Sequence, residues 1–158
     1  MITFQKEPFA TAFPDAQRLF ADHFDEVAEN KKLLGAPNPD VDGYAAMDRM
    51  GAYHVLTARD GEELVGYFAF ITRRNFHYKH IISASEDLYF LAPDARGMKT
   101  GYRFLQAATD AMRAAGGDLA SMRVKIAHDH GPLLERLGYR PIEVIYTKVL
   151  REGGADGH

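Results

Sequence analysis

The feature that most limits the fold is a strand that ends at a proline and is followed, after a glycine-containing loop, by a helix. Residues 82–91 alternate as a β-strand does, and Pro93 ends the run. Apolar residues at helical spacing then run from Leu105 to a Gly-Gly pair at 116–117. A strand, a loop and a helix in this order predict a helix packed against a sheet.

The rest of the chain adds strands on both sides of this unit and helices ahead of it. Periodicity and turn residues predict an edge strand over 2–9, a helix from Pro14 to Lys32, a short helix from Asp40 or Asp42 to Met50, a hairpin of 53–58 and 64–72 around Asp60-Gly61, a strand over 119–127, a short helix from Pro132 to Gly138 and a last strand over 142–150. We therefore predict an α/β fold with a mixed sheet and helices on its faces. One domain covers residues 1–151, and the Gly-rich residues 152–158 form a flexible tail.

Two adjacent carboxylates lie in the middle of the strand over 82–91. Strict alternation places Glu86 and Leu88 on one face and Asp87 on the other, so at most one carboxylate faces a given cleft. Burial in a strand would raise the pKa of such a carboxyl towards the neutral range that suits a general base. The alternative is an ion pair with a neighbouring cation on a solvent-exposed face.

The loop after this strand has the features of an anion site. Free backbone N–H groups and the positive dipole end of a helix N-terminus attract anions, and Gly97 and Gly101 permit turns and close backbone approach. Arg96, Lys99 and Arg103 add three cations with no acid between them. A diphosphate would fit there, although two glycines between a strand and a helix are also ordinary loop chemistry. The segment is neither a nucleotide P-loop nor a dinucleotide fingerprint.

The charge distribution favours a small anionic ligand over nucleic acid. The chain of 158 residues has a net charge of −3, but residues 1–63 hold 6 Lys/Arg against 12 Asp/Glu, whereas residues 64–151 hold 13 against 8. A basic half in an acidic protein suits an anionic ligand, because binding of bulk nucleic acid needs a strongly basic domain. The acidic half would suit a cationic partner.

Composition and residue spacing exclude several further classes of protein and of functional site. The chain has no cysteine, which excludes a disulfide scaffold, a cysteine-based zinc site and a cysteine nucleophile. No apolar run approaches the ~18 residues of a membrane span, and no leader is evident, so we expect a cytoplasmic protein without membrane contact. Without cysteine a zinc site needs histidines to converge, and we predict no metal site. The basic and aromatic residues 73–80 are interpreted as a mobile acceptor-binding flap, or as a solvated connector.

Three segments resemble the GNAT N-acetyltransferase superfamily. Arg96-Gly97-Met98-Lys99-Thr100-Gly101 resembles its acetyl-CoA loop, Q/R-x-x-G-x-G/A, and the preceding 88–94 resembles its fourth strand. Residues 133–139 resemble its late helix, L-Y-E-K-L-G-F, and the order of elements matches over 1–151. Lys99 departs from the first Gly of the loop, and Leu134 departs from a tyrosine that many members carry. The Gly-poor loop and His77-Tyr78 are similar to the phage-encoded branch.

The resemblance implies a GNAT-like α/β (α+β) fold, with a mixed, mostly antiparallel central sheet flanked by about four helices. It implies acetyl transfer from acetyl-CoA to a primary amine by direct attack, with backbone N–H groups polarising the thioester carbonyl. The residues expected to bind acetyl-CoA are Phe90, Leu91, Arg96, Gly97, Met98, Lys99, Thr100, Gly101 and Tyr102. Glu86 or Asp87 is the candidate base and Tyr146 a candidate acid. Because Leu134 replaces the tyrosine, a non-catalytic CoA-binding or protein-interaction module is the alternative; such folds are also commonly homodimers.

Overall fold

A five-stranded sheet forms the middle of the molecule, and each neighbouring pair of strands except the last is antiparallel. This computed structural model describes residues 1–150; the predicted tail at 152–158 lies outside them. In sheet order, strands β1 to β5 are Ile2–Glu7, Tyr53–Asp60, Glu63–Arg74, Ile82–Leu91 and Leu119–Ser121. Helices α1 to α6 are Phe9–Ala16, Phe20–Val27, Lys31–Leu34, Val41–Arg49, Met98–Ala114 and Gly131–Arg136. The predicted mixed, mostly antiparallel sheet is confirmed, with six helices in this part of the chain in place of about four.

The first helical region is broken into short pieces. Sequence periodicity predicted one helix from Pro14 to Lys32, but α1 begins at Phe9 and contains Pro14. Proline lacks the N–H that would bond to the carbonyl four residues earlier, which bends or ends a helix. The chain passes through a 3₁₀ turn at 17–19 before α2, and Asn30, with φ 56°, separates α2 from α3. The single predicted helix is therefore wrong.

Helices cover both faces of the sheet. On one face α5 buries Phe104 and Met112 against Phe68 of β3. On the other face α1 contributes Phe9 to a second cluster with Tyr53 of β2. Burial of large apolar side chains on both faces is the main contribution to the stability of this arrangement.

Strand β4 contains a bulge at the two adjacent carboxylates. Phe70 of β3 is paired with Glu86, and the preceding residue, Ala69, is paired with Leu88. Asp87 therefore has no partner across the ladder. An extra residue of this kind bends the strand and redirects the side chains that follow.

The bulge reverses the faces of the second half of β4. Ala84 precedes the bulge and Tyr89 follows it, and both pack on the face covered by α5. In a regular strand two residues separated by an odd number of positions would lie on opposite faces. Leu88 and Phe90 pack on the opposite face, with residues of α1 and α2. The strict alternation predicted over 82–91 is therefore wrong, because it assumed an uninterrupted ladder with β3.

The C-terminal part departs most from the predicted elements. The strand predicted over 119–127 is only Leu119–Ser121, and residues 142–150 form no strand. Alternating side chains indicate a preference for a pleated surface, but a strand also needs a neighbour for its backbone hydrogen bonds. Past Ser121 the chain bends into a tight turn closed by a bridge between Lys125 and His128. Residues 142–150 thus have no partner strand within residues 1–150.

Candidate active site

Strands β4 and β5 separate after three pairs and leave an opening in the sheet. Residues 83–85 pair in parallel with 119–121, and the pairing stops there. Strand β4 continues to Leu91, so residues 86–91 have no strand beside them on that edge within the described chain. An unpaired edge offers backbone N–H and C=O groups to a ligand. The site residues predicted on β4, from Glu86 to Leu91, all belong to this part of the strand.

Glu86 lies where the two strands part, and Arg123 holds its carboxylate. Oε2 of Glu86 accepts a hydrogen bond from the backbone N–H of Arg123 at 3.2 Å and lies 3.3 Å from its Nε. The Glu86 side chain is only 10% exposed. Burial raises the pKa of this carboxyl, and the positive charge of Arg123 acts in the opposite direction. The ion pair considered as an alternative is present, but the carboxylate is mostly buried and not on a solvent-exposed face.

Asp87, the bulged residue, contacts aromatic side chains. Its Oδ2 accepts a hydrogen bond from the hydroxyl of Tyr53 at 3.0 Å. The Tyr53 ring packs against Tyr44 and Phe9, with centroids 4.8 and 6.0 Å away. Burial, together with the nearby Asp87 carboxylate, raises the pKa of both tyrosines, so both remain protonated donors. The two candidate bases therefore have different partners, a guanidinium for one and phenols for the other.

The predicted acetyl-CoA loop forms the N-terminus of α5. Gly97 is its N-cap with φ −175°, and no side chain caps the helix. The N–H of Gly101 bonds to the carbonyl of Gly97, so the N–H groups before it point out of the helix end. Neither glycine has a positive φ, so neither backbone conformation requires glycine. Lys99 is exposed at this end, while Arg103, one turn on, packs over Phe4 of β1. Met98 and Thr100 lie in the first turn of α5, and Tyr102 begins the second.

Arg96 turns away from this helix end. Its Nε donates to the carbonyl oxygen of Leu91 at 2.7 Å, and its Nη2 lies 2.5 Å from Oε2 of Glu26 on α2. Its guanidinium also lies over the ring of Phe90, 5.5 Å from the centroid. Arg96 therefore braces the end of β4, and the buried Phe90 is covered on this side.

Helix α2 contributes a polar cluster that the sequence analysis missed. Nδ1 of the buried His23 lies 2.6 Å from the hydroxyl of Tyr67, and its ring stacks on Phe90 at 4.9 Å. Burial lowers the pKa of His23 to about 4, which keeps the ring neutral. Glu26 lies between Arg96 and His128, 3.7 Å from Nδ1 of the latter. The three-residue spacing of His23 and Glu26 was visible in the sequence, but nothing there linked α2 to β4.

Tyr146 does not meet the other site residues. It is 91% exposed and belongs to residues 142–150. Leu134, at the position of the family tyrosine, is 5% exposed and packs against α5. The hydroxyl of Tyr139 pairs with Oγ1 of Thr109 at 2.9 Å, which is typical of a packing role.

The segment predicted as a flap is a turn at the far end of β4. Strand β3 continues through Arg74, and Oδ1 of Asn75 accepts from the N–H of His77 at 2.9 Å. Phe76 is 88% exposed.

Among residues 1–150 no three His, Cys, Asp or Glu are arranged to hold a metal ion. No helix in that range has the length and apolar character needed to cross a bilayer.

The sequence matches the Acetyltransferase (GNAT) family over residues 14–139. The chain belongs to the GNAT acetyltransferase family. The resemblance drawn from the loop, the fourth strand and the late helix is thereby confirmed, and the co-substrate is acetyl-CoA. No curated protein sequence matches the chain.

Solved structures share this GNAT fold at low sequence identity. An aminoglycoside acetyltransferase, meta-AAC0020, from an uncultured soil metagenomic sample in complex with sisomicin is 12% identical, with a TM-score of 0.71 over 95% of this chain and 97% of that one. A predicted acetyltransferase with acetyl-CoA from Clostridium acetobutylicum is 11% identical, with a TM-score of 0.70 over 95% and 97%. A ribosomal-protein-alanine N-acetyltransferase from Brucella melitensis biovar Abortus 2308 is 15% identical, with a TM-score of 0.66 over 96% and 99%.

The GNAT co-substrate fits the residues at the opening. The N-terminus of the 17-residue α5 has no side-chain cap, and a Cβ built on Gly97 would meet nothing within 4 Å, so backbone N–H groups there are open to an anion. The exposed Lys99 adds a positive charge beside them. The free edge of β4 at 86–91 offers further backbone groups to the remainder of an elongated ligand.

Proposed function

We propose that this protein transfers the acetyl group of acetyl-CoA to a primary amine by direct attack. The observation that supports this most strongly is Glu86, a mostly buried carboxylate at the point where β4 and β5 separate. Burial raises the pKa of this carboxyl and the neighbouring Arg123 opposes that rise, a balance that suits a general base near neutral pH. The chain has no cysteine, so an acyl-cysteine intermediate is excluded.

The reaction forms a bond between the amine nitrogen and the thioester carbonyl carbon, breaks the C–S bond and releases CoA as its thiolate. An acceptor that is an ammonium ion in solution first loses one proton to the solvent, because only the neutral amine has a lone pair for attack. Glu86 then accepts the proton that the nitrogen loses as the N–C bond forms, directly or through one water. For Tyr146 to protonate this thiolate, residues 142–150 must reach the opening between β4 and β5, either in their own chain or in a second copy. Acetyl-CoA supplies the activated acyl group.

A backbone N–H at the open edge of β4 would stabilise the negative charge that develops on the carbonyl oxygen. Of the two predicted donors we favour Leu91. The carbonyl oxygen of Leu91 accepts a hydrogen bond from the Arg96 guanidinium. The carbonyl oxygen of Phe90 faces β3 instead, because a Cβ added to Gly66 of β3 would lie 2.7 Å from that oxygen. The N–H and C=O of one strand residue point to the same side, which directs the Leu91 N–H away from β3.

The acceptor fits the face that carries α1 and α2. A shallow, open apolar depression there is bordered by Phe9, Phe13, Phe20, Tyr53, Tyr67 and Leu88. Aromatic faces attract cations, and Asp87 next to Tyr53 adds a negative charge. An amine that is protonated in solution is therefore the proposed acceptor class. Two of the structural relatives are also named for amine-containing acceptors, an aminoglycoside and an alanine of ribosomal proteins.

The test is release of CoA thiol with a panel of amines that includes polyamines, aminoglycosides, lysine and peptides with free N-termini. Because the chain has no cysteine, a thiol reagent detects CoA without a protein background. Acetyl-CoA at about 100 times its Kd should also stabilise the fold by about 2.7 kcal/mol. Stabilisation by CoA without thiol release from any amine would favour the non-catalytic alternative. If acetyl-CoA caused no stabilisation and no amine released thiol, both the enzymatic and the non-catalytic function, and the assigned site, would be contradicted.

A further inference from the structure

Helix α2 presents a histidine and a carboxylate to the end of β4. His23 and Glu26 are three residues apart, so they lie on the same face of the helix. Nδ1 of the buried His23 lies 2.6 Å from the hydroxyl of Tyr67, and the imidazole stacks on Phe90 with 20° between the ring planes. These contacts hold α2 against β3 and β4, and they place Glu26, one turn further along, beside the end of β4.

The Glu26 carboxylate holds the Arg96 side chain. Its Oε2 accepts a hydrogen bond from Nη2 of Arg96 at 2.5 Å, and hydrogen bonds between two charged groups are shorter and stronger than neutral ones. The Glu26 side chain is 23% exposed, so this ion pair is partly shielded from water. The other carboxylate oxygen, Oε1, lies 3.7 Å from Nδ1 of His128, at the turn that follows β5. The carboxylate therefore lies between the end of β4 and that turn.

Arg96 in turn holds the backbone carbonyl of Leu91, to which its Nε donates a hydrogen bond at 2.7 Å. In the interior of a sheet such a carbonyl bonds to the next strand, but no described strand lies beside residues 86–91 on this edge. Arg96 thus supplies the hydrogen bond that a neighbouring strand would supply. Because the N–H and C=O of one strand residue point to the same side, a bond that fixes the carbonyl also limits the direction of the Leu91 N–H.

We propose that Glu26 is a positioning residue for acetyl transfer, which acts through Arg96 to keep the Leu91 N–H directed at the thioester carbonyl oxygen. This role rests on the proposed function and on Leu91 as the backbone donor. A donor lowers the barrier only if its direction is set before the reaction, and a displacement of about 1 Å costs about 10²-fold in rate. Glu26 touches neither acetyl-CoA nor the acceptor in this role, so its loss should lower kcat and leave the KM for acetyl-CoA nearly unchanged.

Steady-state kinetics with the best amine of the panel test this series of contacts. We expect Glu26→Ala to lower kcat about 10- to 100-fold. Glu26→Gln keeps an oxygen that accepts from Arg96, so it should recover most of that loss. Alanine favours helix, so α2 should persist, and circular dichroism checks that the variant is folded. The matched control is Asp22→Ala, an exposed acid on the same helix, which should keep the kcat of the unmodified chain.

A double-mutant cycle shows whether Glu26 acts through Arg96. Two independent effects would multiply, whereas two residues that act in series do not. In a chain whose guanidinium has been removed by Arg96→Met, replacement of Glu26 by alanine should therefore change kcat by less than about two-fold. An undiminished further loss in the double variant, or an unchanged kcat in Glu26→Ala alone, would overturn the proposal.

The infrared carbonyl stretch of bound acetyl-CoA, isotopically labelled at the acetyl carbonyl carbon, provides a measurement that a purely structural role would not change. A hydrogen bond to the carbonyl oxygen polarises the C=O bond and lowers its stretching frequency. Without acceptor, we expect a lower frequency on the unmodified chain and on Asp22→Ala than in free acetyl-CoA, and a return towards the free value on Glu26→Ala. Equal frequencies on the unmodified chain and Glu26→Ala, with thiol release intact, would overturn the role of Glu26 alone. No frequency shift and no thiol release with the unmodified chain would contradict the proposed function and this role together.

Discussion

Glu86 and Arg123 meet where β4 and β5 part, with 3.3 Å between Oε2 and Nε. The Arg123 guanidinium also donates to the carbonyl oxygens of Glu86 and Asp87, at 2.8 and 3.3 Å. One arginine just beyond β5 therefore ties the carboxylate to the bulge of β4. The position of the proposed base depends on the same divergence of strands that creates the opening.

Replacing Glu86 by glutamine removes the proposed base and keeps its size. Because general-base catalysis contributes about 10²–10⁴-fold, we expect kcat to fall by about that factor with little change in the KM for acetyl-CoA. Thiol release with the best amine of the panel measures both quantities. The matched control is Glu63→Gln, an exposed position at the start of β3. A loss of kcat below about three-fold would exclude Glu86 as the base.

Substitution of Arg123 should shift the pH dependence of the acetyl-transfer rate. The rate requires charged Glu86, so activity falls as the pH drops through the pKa of that carboxyl. Arg123 lowers this pKa, so Arg123→Gln should raise it and move the acidic limb of kcat/KM to higher pH. The control is Arg113→Gln, an exposed residue paired with Asp110 on α5. An acidic limb unchanged by Arg123→Gln would mean that another group titrates.

Much of β4 was predictable from its own residues, but its bulge was not. Alternation and Pro93 set the bounds of the strand at 82–91, and both carboxylates were recognised as unusual there. The bulge arises from the register with β3, where Ala69 pairs with Leu88 and leaves Asp87 unpaired. Register is a property of two strands together, so a pattern within one strand does not contain it.

In the loop over 96–101, too, some features could be predicted from the local sequence and others could not. The helix N-terminus and the exposed Lys99 follow from local signals, because a helix start depends on nearby residues. The position of the Arg96 side chain does not, since its partner Glu26 lies 70 residues earlier on a different helix. The cluster of cations in the sequence therefore did not reveal the ion pair between Arg96 and Glu26.

Lys99 should contribute to acetyl-CoA binding and not to chemistry. A charged hydrogen bond contributes about 1.5 kcal/mol, so Lys99→Ala should raise the KM for acetyl-CoA about ten-fold and leave kcat nearly unchanged. Initial rates at varied acetyl-CoA, at low and high salt, give this comparison. Lys79→Ala, at an exposed position in the β3–β4 turn, is the control. Equal KM values for the two variants would mean that Lys99 does not contact the diphosphate.

Glu7 should make the fold sensitive to acid. Its side chain is 7% exposed, and its Oε1 accepts hydrogen bonds from Nε of Arg59 and Oγ1 of Thr57, each at 2.6 Å. Arg59 chiefly, against the effect of burial, lowers the pKa of Glu7 to about 2. Since an unfolded glutamate has a pKa of about 4.3, the folded state gains about 3 kcal/mol above that pH. This stability is lost as the pH falls from about 4.3 through 2.

Urea unfolding at several pH values checks this. The free energy of unfolding of the unmodified chain should decline between pH 4.5 and 2 more steeply than that of Glu7→Gln. At pH 7 the variant should be less stable, by about 3 kcal/mol, because Arg59 loses its buried partner. Glu29→Gln, at an exposed site on the acidic half, should follow the unmodified chain. Parallel curves for all three proteins would show that Glu7 is not the group responsible.

Leu134 shows why restoring the family tyrosine should not improve this enzyme. The side chain is 5% exposed and packs in the core with residues of α5. A tyrosine there adds volume and a hydroxyl group to a filled space, so Leu134→Tyr should lower the free energy of unfolding by about 1–3 kcal/mol without raising kcat. Thermal unfolding and thiol release measure the two effects. Leu134→Met, which conserves volume, should cost less than about 1.5 kcal/mol. A higher kcat in a Leu134→Tyr protein of unchanged stability would instead mean that this position faces the reacting atoms.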